Sequence, residues 1–203
     1  MKQHKMSLLC TLALLTGLLA GAVRAGDPTE RIRQATDKVI AIASDPALKG
    51  PAKLAERRQK MRAEISDRFD WSALARGTLG EFWAKASEAE QQEFTGLFRT
   101  LLERTYMKKI EGYAGEKVEY TGETVEGATA TVSTQIVTTQ QTRVPLTYKM
   151  QQKDGAWLVA DVFIENVSLL ENYRAQFTEQ LQQGGTFAAL NKQLKAKTST
   201  KEK

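Results

Sequence analysis

Behind Asp27-Pro28, an N-cap and first-turn pair, the apolar residues Ile32, Ala35, Val39 and Ile42 recur at helical spacing and stop at Asp45-Pro46. Lys49-Gly50-Pro51 is a break, and the pattern from Pro51 through Leu54, Met61 and Ile65 toward Phe69 predicts a second helix. Asp70 can cap a third, which carries Trp71, Leu74, Ala75, Leu79, Phe82 and Trp83. Gly77 and Gly80 fall within it, each costing roughly 1 kcal/mol against alanine, so a helix end or a close helix crossing is expected there. Ser87-Glu88-Ala89-Glu90 is a capping box. It opens the clearest helix of the chain, with Phe94, Leu97, Phe98, Leu101, Leu102, Thr105 and Ile110 on one broad face, ended by Gly112 and Gly115.

The period then falls to two. Lys117 to Thr124, Ala128 to Thr139, Arg143 to Gln152 and Ala156 to Phe163 are rich in Val, Thr, Ile and Tyr, and short breaks between them predict an antiparallel meander. Val144, Leu146, Tyr148 and Met150 alternate with Pro145, Thr147, Lys149 and Gln151, so this strand has one buried face. Pro145 cannot donate to a ladder, which places it at an edge or a bulge. Strict alternation in the last strand puts Trp157, Val159, Asp161 and Phe163 on one face and Leu158, Ala160, Val162 and Ile164 on the other. Such a strand is covered on both sides. Ser168 can cap a helix through Leu169, Leu170, Tyr173, Phe177 and Leu181 to Gly184-Gly185, and Thr186 begins a last one through Phe187, Leu190 and Leu194. The expected class is α+β, several helices packed on a curved four-stranded antiparallel sheet.

Residues 1–25 read as a secretory signal peptide. Lys2 and Lys5 are a positive start, Met6 to Ala20 is uncharged and short for a membrane span, and Val23-Arg24-Ala25 offers a cleavage site before Gly26. A retained anchor or a lipoprotein fits less well: Cys10 sits inside the apolar stretch behind Leu9, not at its end. The domain is expected over 26–197 and a flexible basic tail over 198–203.

Cleavage changes the chemistry that remains. His4 and Cys10 are the only histidine and cysteine, so the released chain has no imidazole, thiol or disulfide, and no zinc or copper site of the usual kind is expected. Loss of Lys2, Lys5 and Arg24 from 29 basic residues leaves a small excess over the 24 acidic ones. Nucleic-acid binding is poorly supported, since no basic run is interleaved with aromatics. No Gly-rich phosphate loop, HExxH or GxSxG occurs. Asp161 is the carboxylate to weigh as a general base, because it shares the expected face with Trp157 and Val159; hydrogen bonding near the strand's end is the simpler reading.

The run from Asp161-Val162-Phe163-Ile164-Glu165-Asn166-Val167-Ser168 through Leu169-Leu170-Glu171-Asn172-Tyr173-Arg174-Ala175-Gln176-Phe177 resembles the signature of the MlaC family of periplasmic phospholipid carriers. Phe69-Asp70, Leu79-Gly80 with Trp83, the Phe94-Leu97-Phe98 helix and Lys153-Asp154-Gly155-Ala156-Trp157 support it in the same order. Asn166 departs from the glycine frequent in the family, at a corner where asparagine also tolerates left-handed backbone.

The resemblance implies a nuclear-transport-factor-like sheet, with helices enclosing an apolar pocket for phospholipid tails and no catalytic residue or cofactor other than the lipid cargo. It also implies traffic between an outer-membrane lipoprotein complex and an inner-membrane ABC-transporter complex with its lipid-binding subunit, which maintains outer-membrane lipid asymmetry. Inward alternation then nominates strand residues Val132, Ile136, Val144, Leu146, Tyr148, Met150, Trp157 and Val159 as pocket wall. Leu79, Phe98, Leu101 and Tyr106 are the helix candidates. Arg143, Lys149, Arg174 and the Lys192–Lys197 region are candidates for a positive rim. Periodicity alone does not separate a cavity wall from a packed core. Two other functions stay open, a holdase chaperone with an exposed apolar surface and a cone-fold enzyme using Asp161.

Overall fold

The computed structural model describes residues 26–199, and the expected signal peptide lies outside them. The caps act as the sequence predicts. Asp27 Oδ1 accepts the Glu30 N–H at 3.1 Å and opens α1 (Pro28–Ser44). Two short 3-10 turns, each led by a proline, carry the chain to α2 (Leu54–Ser66). Asp70 Oδ1 accepts the Ala73 N–H at 2.9 Å and opens α3 (Trp71–Leu79). Ser87 and Glu90 form the complete capping box of α4 (Glu88–Glu111).

Both glycines of the third helical segment have the roles expected of them. Gly80, with φ +54°, ends α3 and passes into a 3-10 turn over Gly80–Lys85. Gly77 is a close crossing: a Cβ there would lie 2.4 Å from Leu170 Cδ1.

The sheet runs β1 (Lys117–Glu126), β2 (Thr129–Val137), β3 (Arg143–Lys153), β4 (Ala156–Ile164) and β5 (Val167–Ser168), in that order and antiparallel throughout. It thus has five strands rather than the expected four. The addition is two residues long and folds back on β4 through Glu165 and Asn166, at φ +51° and +66°. This is the left-handed corner at which asparagine was expected to substitute for glycine. Ser168 then caps α5 (Leu169–Gln182), and α6 (Phe187–Ser199) closes the chain. Thr198 and Ser199, placed in the tail by sequence, complete the last turn of α6.

One irregularity in β4 reorganises the site. Met150 pairs with Val159 but Lys149 pairs with Asp161, so Ala160 is an unpaired bulge residue. The alternation inverts there. Trp157 and Val159 face inward with Val162 and Ile164, while Asp161 turns to the outer face, contrary to the strict alternation expected. A second bulge between Tyr120 and Gly122 interrupts β1, and together the two bend the open sheet. Pro145 occupies neither an edge strand nor a bulge. It stands near the start of the central strand β3, where its carbonyl accepts the Glu165 N–H at 3.0 Å and β4 ends.

Apolar side chains gather in two clusters. Leu74, Leu79, Phe94, Phe98, Phe177 and Leu190 centre a close-packed helical core of α3–α6, with Phe94 and Phe98 stacked at 5.5 Å and each edge-on to Phe177. Ile32 of α1 joins Ala130, Val132, Met150, Trp157 and Val159 on the concave face of the sheet.

Candidate functional site

Between that concave face, the α1–α2 pair and the C-terminal half of α4 lies a cavity of about 600 Å³. This is within the range of small-molecule sites, ~300–1,000 Å³. Its floor is Ile136, Val144, Leu146, Tyr148, Val159, Val162 and Ile164 from the sheet. The opposite wall comes from Ile32, Val39 and Ile40 of α1, Ile65 of α2, and Tyr106, Met107 and Ile110 of α4. Lys109 and Glu165, the exposed members of the lining, lie with Thr138 and Glu116 where α4, β2 and β4 end and β1 begins. This marks the mouth. Toward Ile32 and Val132 the cavity closes into packed side chains.

The polar groups of the lining include Arg62, Arg68 and Glu103 on one side, and Tyr106 and Tyr148. Burial, helped by Tyr120 and opposed by a hydrogen bond with Thr134, pushes the Tyr148 phenol up to about 12. It is therefore a neutral hydroxyl at any physiological pH. Burial, with Tyr173 beside it, also raises Tyr106.

Six of the twelve nominated residues, Tyr106, Ile136, Val144, Leu146, Tyr148 and Val159, border this cavity. The other six do not. Leu79, Phe98 and Leu101 pack in the helical core, because the apolar face of α4 is shared: its N-terminal half meets α3, α5 and α6, and only its C-terminal half reaches the cavity. Val132, Met150 and Trp157 do point to the concave face, but beyond the cavity's closed end, against Ile32.

Sequence reasoning omitted the α1 and α2 contributions, although Ile32 and Val39 stood out as a helical stripe. It omitted Val162 and Ile164 because the bulge is invisible to strict alternation. The candidate rim cations Arg143, Lys149 and Arg174 each have local partners. Arg143 pairs with Glu119 and Gln135, Lys149 Nζ donates to Thr131 at 3.0 Å, and Arg174 Nε donates to the Gly77 carbonyl at 2.8 Å.

Asp161 is outside the cavity lining and bound into the backbone around it. Its carboxylate accepts the Ser168 hydroxyl at 2.5 Å, the Val162 N–H at 2.8 Å and the Leu170 N–H at 3.1 Å. This fastens the β4–α5 corner. Among the described residues, no helix is long and apolar enough to cross a membrane and no group of acidic, histidine or cysteine side chains is clustered for a metal ion.

A largely apolar cavity with charged residues at its mouth has the shape and lining that suit an apolar or amphipathic molecule. The family model described as MlaC protein matches residues 33–196, and the chain belongs to that family. No curated protein sequence matches it. Among solved structures, it is similar to a phospholipid-binding protein from Ralstonia solanacearum determined in complex with a phospholipid. The two share 25% identity with a TM-score of 0.77, over 86% of this chain and 98% of the other.

Proposed function

We propose that this chain is a periplasmic phospholipid carrier. On this reading it is exported with cleavage near Ala25 and moves lipid between an outer-membrane lipoprotein complex and an inner-membrane ABC-transporter complex. The apolar cavity under α1 and α2 carries the proposal; family membership and the phospholipid held by the Ralstonia protein support it. Each buried methylene is worth about 0.8 kcal/mol, so moving one 16-carbon chain into water costs on the order of 12 kcal/mol. A carrier replaces the bilayer around such chains and gives the headgroup polar company. Release against the same magnitude is slow unless a partner opens the cavity.

The holdase reading lacks a surface to work with: among the described residues the exposed large hydrophobics are Val125 and Val167, at 48% and 58%. The test is transfer of labelled phospholipid between two vesicle populations. The carrier reading expects transfer in proportion to protein and its loss in Leu146→Trp, which fills the cavity floor. Wild-type protein that leaves the spontaneous rate unchanged, with and without membranes bearing both complexes, rejects it.

A further inference from the structure

Part of the cavity wall is cationic. Arg68, just beyond α2, borders the cavity although it is only 9% exposed. Its Nε has no hydrogen-bond partner. The surrounding carboxylates are shared with other groups, and the Asp67 carboxylate acts on Arg31. Glu64 Oε2 lies 3.9 Å from Arg68 Nη2 but holds Lys38 Nζ at 3.0 Å. Glu103 accepts Arg99 Nε at 2.8 Å and the Ser66 hydroxyl at 3.4 Å. Asp70 accepts the Ala73 N–H, the Gln151 amide at 2.9 Å and Lys153 Nζ at 3.0 Å.

More positive charge stands nearby. Arg31 Nη2 donates to the Asp67 carbonyl at 3.0 Å, and burial, then the charge of Arg68, holds its guanidinium below its ordinary pKa. Arg62 lies on the same wall. Arg62 and Glu103 also border a surface depression with Thr100 and Arg104. A buried guanidinium with incomplete hydrogen bonding is unfavourable until an anion meets it, and its fork matches two oxygens of one phosphate.

We propose that Arg68, flanked by Arg31 and Arg62, is the phosphodiester site of the cavity, which meets the non-bridging oxygens of a bound phospholipid while the tails lie along Tyr106, Val144 and Leu146. The proposal rests on the carrier reading and names the group by which the cavity distinguishes a phospholipid from an uncharged lipid.

The test uses delipidated full-chain protein, with wild-type compared against Arg68→Met and Arg68→Lys. The probes are a short-chain phosphatidylcholine, the diacylglycerol with the same chains, and inorganic phosphate. Wild-type is expected to bind the phospholipid about tenfold or more tightly than the diacylglycerol, the order of one charge-assisted contact. Arg68→Met should lose most of that preference through weaker phospholipid binding alone, with no fall in the melting temperature of lipid-free protein. Should Arg68→Met fail to fold, Arg68→Lys carries the test, since it keeps the charge without the fork and should lose part of the preference. A wild-type preference in the folded variants overturns the assignment. So does inorganic phosphate binding that depends on Arg68 while the lipid preference does not, which would make the site one for free anions. Wild-type protein that binds neither lipid fails the carrier reading itself, a result distinct from either.

Discussion

The Asp161 carboxylate and the Ser168 hydroxyl meet at 2.5 Å across the β4–α5 corner, and Ser168 Oγ in turn accepts the Glu171 N–H at 3.0 Å as the cap of α5. One acid thus holds a strand end and a helix start together, on the far side of the sheet from the cavity. Removing it in Asp161→Ala strands buried donors and should cost about 2–3 kcal/mol. Chemical denaturation checks the loss, and phospholipid bound per folded molecule should not change. A variant of wild-type stability that carries no lipid would place Asp161 in the binding site after all.

That corner also shows how far the sequence could be read. Caps such as Asp27, Asp70, Ser87 and Ser168 declare themselves locally, since a side chain and an amide three residues on suffice to form them. Hence the helices and most strand limits were legible. The inward register of β4 was not, because nothing local in Val159-Ala160-Asp161 announces a bulge; pairing with β3 decides it. Tyr106 and Phe98 were indistinguishable for a related reason. Both lie on the apolar face of α4, and only the placement of α1 and α2 against one half of that helix makes the difference between wall and core.

Phe98→Ala tests that division. Phe98 is 1% exposed among aromatic neighbours in the helical core, and its truncation should cost about 3–5 kcal/mol. Leu146→Trp, by contrast, places a ring in existing space and should leave lipid-free stability nearly unchanged, where a filled core would lose roughly 1–3 kcal/mol. Paired melting curves and lipid contents check both. Phe98→Ala should keep its lipid per folded molecule, and Leu146→Trp should lose it.

Arg58 and Glu111 form a two-pronged ion pair between α2 and the end of α4, with side chains 13% and 11% exposed and Arg58 Nη2 donating to Glu111 Oε2 at 3.0 Å. Loss of one partner, as in Glu111→Gln, leaves a nearly buried charge and should cost about 3–5 kcal/mol. Both helices wall the cavity, so spontaneous lipid transfer should quicken as stability falls. Denaturation and stopped-flow transfer measure the two effects; an unchanged transfer rate in a destabilised variant would separate the pair from cavity closure.

Asp70 sets an acid-side dependence. Burial pushes its carboxyl up, but the Ala73 N–H, Lys153 and Gln151 together outweigh this and hold it below the ordinary carboxylate value. Its stabilisation is therefore complete above the unfolded value near ~3.9 and is lost as pH falls through the lower folded value. Wild-type should be more stable than Asp70→Asn at neutral pH, and the difference should shrink only below about pH 4. Unfolding free energies across the acid range check this; a difference constant down to pH 2 would contradict it.

The central claim is that the cavity beneath α1 and α2 holds phospholipid. Its most direct test is mass spectrometry of an organic extract of the purified chain, with phosphorus quantified against protein. The account predicts diacyl phospholipid in near-stoichiometric amount in wild-type and a marked loss in Leu146→Trp. Wild-type protein that is folded and free of phospholipid, and that takes none from vesicles, would contradict it.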